Sequence, residues 1–189
     1  MATKKQASRI PNPLALNMYV LGYDANKKLT NLNQAVKENL RTYLGQYRMV
    51  TDAINIKNAY VINIGVQFSI MTRANYNKSE VLLRSIQTVK TFFDIDRWQV
   101  NQPIILSDLV YQLSLVDGVA SVVSPVEDNK QSLPIIIKNK YKVANGYSGN
   151  LYDIDSATKN GIIYPSLDPS IFELKYPSTD IEGRVVGDQ

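Results

Sequence analysis

The spacing Ser156-Ala-Thr-Lys159 could support acyl transfer. With the serine at the start of a helix, a lysine one turn on can reach its hydroxyl and take the proton. Here Asn160-Gly161 follows at once and signals a turn, and neither an S-D-N nor a K-T-G companion occurs. The serine–lysine hydrolase reading therefore rests on four residues alone.

Two aspartate pairs, Asp153/Asp155 and Asp94/Asp96, have oxygens suited to a hard cation. An EF-hand counted from Asp153 needs Glu at its twelfth position, where Tyr164 stands. Aspartates that bond nearby turn amides account for both pairs without a metal. Asn77-Lys-Ser79 fits a glycosylation acceptor, but Asn77 with Glu80 three residues on also reads as a helix cap. No glycine-rich phosphate loop is present.

The composition removes more chemistry than it offers. The chain has 189 residues with no histidine and no cysteine. Disulfides, zinc–thiolate sites, iron–sulfur clusters and thiol nucleophiles are excluded within it. So are Ser-His-Asp and Cys-His arrangements. The net charge is +4, and Lys4, Lys5 and Arg9 carry three of those charges before the first acid, Asp24. No basic stripe remains on the body, so no nucleic-acid partner is expected. No run has the length of a membrane-spanning helix, and the N-terminus gives no sign of export, so a soluble protein without a membrane partner is expected. Neither a cofactor nor a small-molecule substrate is expected.

Tyrosine is abundant, at 12 residues. Tyr141, Tyr147, Tyr152, Tyr164 and Tyr176 lie in the second half, and Trp98 follows Asp94-Ile-Asp96. Tyrosine suits protein interfaces because its ring buries area while its hydroxyl stays bonded. These six residues are the candidate contact positions. The same tyrosines could stack on sugars, as in a host-glycan adhesin, or be ordinary strand residues.

The elements that must position them follow from periodicity. Residues 1–17 read as a flexible arm ending in Ile-Pro-Asn-Pro, and Met18–Tyr23 as a short strand. A helix is predicted over 32–47, capped at Asn31, with Val36, Leu40, Tyr43, Leu44 and Tyr47 facing a core. An extended segment, 50–56, leads into a long alternating strand over 59–71. Its even positions, Tyr60 to Ile70, face the core, and Asn63, Gly65, Gln67 and Ser69 face water or a partner. Helices over 78–93 and 108–116 follow, the second capped at Ser107, then a strand over 119–123. Residues 18–126 thus read as an α+β sandwich of ferredoxin-like character. The polar run 127–132 marks a boundary. Residues 127–189 read as a separate β-rich region, with strands over 134–143, 161–164 and 171–176.

The order helix, long strand, helix, short helix ending Val116-Asp-Gly-Val119, then strand resembles the baseplate J-like fold of contractile-tailed bacteriophages. Four segments are similar to the C-terminal portion of the large baseplate wedge protein family of T4-like phages. They are 11–24, Gln46-Tyr-Arg-Met-Val-Thr-Asp-Ala-Ile-Asn-Ile56, Ala157-Thr-Lys-Asn-Gly-Ile-Ile-Tyr-Pro-Ser-Leu-Asp-Pro169 and Phe172-Glu-Leu-Lys-Tyr-Pro177. The resemblance implies a non-enzymatic structural part of a longer subunit. It would be found in the virion tail baseplate after assembly in the bacterial cytoplasm, pairing with itself and with other wedge proteins.

Overall fold

The alternating run becomes one strand, Tyr60–Thr72, in the computed structural model of the chain, which describes residues 15–47, 53–124 and 133–187. In chain order the strands are β1 (Ala15–Val20), β2 (Gly22–Tyr23), β3 (Leu29–Thr30), β4 (Ala53–Asn58), β5 (Tyr60–Thr72), β6 (Ile104–Ile105), β7 (Val119–Val123), β8 (Ile135–Asn139), β9 (Thr158–Lys159), β10 (Ile162–Ile163), β11 (Ser170–Glu173) and β12 (Ile181–Val185). The helices are α1 (Gln34–Gly45), α2 (Lys78–Phe92), α3 (Leu106–Ser114), α4 (Ile154–Ala157) and α5 (Pro177–Asp180). The chain is α+β, as expected, and divides into two compact units. One comprises residues 1–22 and 31–58, the other 23–30 and 59–189.

The first unit is a βαβ element. Strands β1 and β4 pair in parallel, with Leu16 opposite Ile54 and Met18 opposite Ile56, and α1 lies between them in the chain. Strand β1 takes in residues 15–17 of the expected arm, and residues 1–14 lie outside the described residues. Helix α1 starts later than predicted, because Asn33 rather than Asn31 is its cap and accepts from the Val36 amide at 2.9 Å. Its apolar stripe does not enter a core. No residue of α1 is buried, and Tyr43 and Tyr47 are 57% and 73% exposed. One helix and two strands offer too little area to cover it.

The second unit is built on β5, which four strands share. Parallel β11 lies along Tyr60–Asn63 and parallel β12 along Val66–Ile70, while antiparallel β8 meets Ile64–Phe68 and β7 meets Ser69–Thr72. Three of these four come from residues 133–187. The expected separation of 18–126 from a β-rich 127–189 therefore does not hold, since the later strands complete the sheet that the earlier one begins. Residues 125–132, where the boundary was placed, lie outside the described residues. The small antiparallel sheet β6–β10–β9 belongs to the same unit.

Helices α2 and α3 bury Val81, Ser85, Val89, Leu109 and Leu113 in the core, as their spacing predicts. Asn77 caps α2 through the amides of Ser79 and Glu80. Ser107 does not cap α3. The helix begins two residues earlier than predicted, at Leu106, whose amide is satisfied by the Gly161 carbonyl at 3.0 Å. Strand β5 is buried on both faces rather than one, with Asn63 wholly buried and Ser69 nearly so.

Candidate functional site

The buried polar face of β5 is covered by residues that follow β8. Asn63 Oδ1 accepts from the Ser148 amide at 2.8 Å, and the Asn63 carbonyl accepts from the Lys140 amide and from Asn139 Nδ2. The Val61 carbonyl takes bonds from Ser148 Oγ and Asn150 Nδ2. Asn139 in turn accepts the Tyr152 amide at 2.9 Å. The Val61 and Asn63 carbonyls, which a further sheet strand would otherwise satisfy at this end of β5, are met by residues 139–150.

Two carboxylates close the network. Glu173, 3% exposed, accepts from Asn63 Nδ2 and from the Leu29 amide, both at 2.7 Å. Burial raises its pKa above the ordinary glutamate value, against the lowering effect of those two bonds and of Lys175 and Lys28. Asp180, 1% exposed, accepts the Tyr147 hydroxyl at 2.6 Å and the Tyr176 amide at 3.0 Å. Burial, then the bond to Asp180, pushes the Tyr147 pKa well above the tyrosine range. Both acids act here as acceptors for donors already in place. That arrangement fixes backbone and presents no activated nucleophile.

Glu173 also forms part of the wall of a cleft of about 260 Å³, with Lys27, Lys28, Lys90, Asp94 and Asp96 around it. Among the described residues no group of three acidic side chains could hold a metal ion. No helix among them is long and apolar enough to cross a membrane.

The six candidate contact positions separate into two sets. Tyr141 and Tyr164 are exposed. Tyr147 and Tyr176 stack edge to face at 5.4 Å over Asp180, and Tyr152 packs against Phe172 while its hydroxyl bonds the Tyr164 carbonyl at 2.6 Å. Trp98 packs against Phe92 and Phe93, with its indole Nε1 buried and without a partner among the described residues. These four side chains are committed to contacts within the chain.

The Ser156–Lys159 spacing falls on the wrong geometry for acyl transfer. Asp153 caps α4, taking the Ser156 amide at 3.1 Å and its hydroxyl at 2.6 Å, and these bonds hold the Asp153 pKa below its usual value. The helix ends at Ala157, so Lys159 lies in β9 rather than one helical turn on. Asp94 likewise caps the short turn over 95–97 through the Asp96 amide. Both aspartate pairs do turn chemistry.

No family model and no curated protein matches the chain.

The Asn63–Glu173 pair is the feature that reading by element missed. Its signal is visible in retrospect: each is a polar residue flanked by apolar ones, in Val-Ile-Asn-Ile and Ile-Phe-Glu-Leu. Only the pairing of β11 with β5 brings them opposite each other.

Proposed function

We propose that the chain is a structural assembly component, and specifically part of the baseplate wedge of a contractile phage tail. Its partners are then a second copy of itself and other wedge proteins, and its work is burial and shape rather than catalysis. The observation that carries the assembly reading is the first unit. Among its described hydrophobic residues only Ile56 is buried, while Leu16, Val36, Tyr43 and Tyr47 are exposed. Tyr43 and Tyr47 lie ring against ring at 5.2 Å on one side of α1. A βαβ element with its apolar side uncovered gains stability by burying that side in an assembly. The wedge identification is supported by the segment resemblance at 11–24, 46–56, 157–169 and 172–177.

Light scattering across a concentration series tests the reading. The wild-type chain is expected to form a dimer or larger species. The double substitution Tyr43→Asp, Tyr47→Asp is expected to give a monomer with an unchanged circular dichroism spectrum. A wild-type monomer that also fails to bind purified wedge proteins overturns the proposal. If such a monomer bound a glycan array instead, the adhesin reading would replace it.

A further inference from the structure

Residues 23–30 belong to the second unit, yet the residues on either side of them, 1–22 and 31–58, form the first. The chain passes between the units at 22–23, 30–31 and 58–59, so two of three passages flank this short segment. It is a hairpin with its own closure. Asp24 Oδ1 accepts the amides of Asn26 and Lys28, and the Asp24 amide bonds the Lys28 carbonyl at 2.8 Å. Lys27 takes a left-handed conformation at φ +57°, a place where a side chain is disfavoured. The turn is thus closed by bonds among its own residues, 24–28.

Its attachment to that sheet is narrow. The Leu29 side chain is buried, and the Leu29 amide donates to Glu173 Oε1 at 2.7 Å. Among the described residues this is the one hydrogen bond that joins residues 23–30 to β11. The second Glu173 oxygen is occupied by Asn63, so the carboxylate is held in place from the sheet side whether or not Leu29 is bound.

We propose that residues 23–30 form a detachable strap, latched by the Leu29 amide on the buried Glu173 carboxylate. Among the described residues the latch rests on the buried Leu29 side chain and one charge-assisted hydrogen bond, with charge attraction beside them. The sheet around β5 is held by four strand pairings, so the strap opens while the sheet stays closed. Opening removes Asn26, Lys27 and Lys28 from the wall of the 260 Å³ cleft and exposes Glu173 to water. Across the latch, Lys28 of the strap attracts Glu173, and Lys175, after β11, attracts Asp24 of the strap.

Native-state hydrogen exchange on the intact chain, read residue by residue, tests this. In the wild type, the Leu29 amide is expected to exchange through an opening that leaves the Ile64–Phe68 amides protected. In Glu173→Ala, Leu29 exchange is expected to rise about tenfold or more, and by more than that of the Ile64–Phe68 amides, although Asn63 also loses its acceptor. Trypsin is expected to cut that variant after Lys27 or Lys28 before any site in β5 or α2. Two results overturn the proposal: a wild-type Leu29 amide that exchanges only together with β5, or a Leu29 rate unaltered in Glu173→Ala. The wild-type measurement decides by itself if the variant does not fold.

Discussion

At the scale of single residues, three of the polar side chains described above hold backbone or a cap. Ser156 gives its hydroxyl to a capping aspartate, Tyr147 gives its own to Asp180, and Glu173 takes two donors inside the sheet. Glu173 makes this measurable. Burial raises its pKa above 4.5. Between that ordinary value and its own higher one, the folded chain keeps a proton that the unfolded chain has lost. Stability therefore falls as pH rises through that interval and levels off above it. Denaturant unfolding from pH 4.5 upward is expected to show this decline, and Glu173→Gln to lack it. Parallel curves for the two proteins would mean that Glu173 titrates as it does in water.

At the scale of elements, spacing located helices and strands well where one packing face was enough to define them. Helix α2 is the clearest case, with its cap and inner face both as expected. It failed at β12, where Ile181-Glu-Gly-Arg-Val185 shows two charges around a glycine. The structure supplies the reason. A Cβ on Gly183 would lie 2.7 Å from the Phe68 ring and 2.8 Å from Leu82, so the glycine lets β12 sit between strand β5 and helix α2. Gly183→Val is expected to cost about 1–3 kcal/mol by overpacking, read as a lower denaturation midpoint. An unchanged midpoint would show that Phe68 and Leu82 move aside freely. The stripe on α1 failed in the opposite sense: its helical period was right, but among the described residues of its unit only Ile56 is a buried hydrophobic.

At the scale of the whole molecule, β5 binds the early and late parts of the chain into one sheet. A fragment of residues 59–126 keeps β5, α2, α3 and β7 but loses β8, β11 and β12. The first half of β5 would then present bare edges. The fragment is expected to aggregate or to give a collapsed, poorly dispersed NMR spectrum. A well-dispersed spectrum would instead restore the boundary that the polar run at 127–132 suggests.

The sequence by itself determined what depends on residue type and on near neighbours. Without histidine and cysteine whole classes of chemistry are closed, and the caps at Asn77 and Asp153 and the turn at Asn160-Gly161 are set within a few residues. The long strand, too, is plain from its alternation. Tertiary structure alone decided which strands pair on β5, that its polar face is buried, that Asn63 meets Glu173, and that residues 23–30 leave one unit for the other. Those outcomes join residues more than 70 positions apart, as Asn63 with Asn139 or Glu173 with Leu29. A local period is silent about such partners, because a half-buried and a fully buried strand differ only in what the rest of the chain brings to the second face.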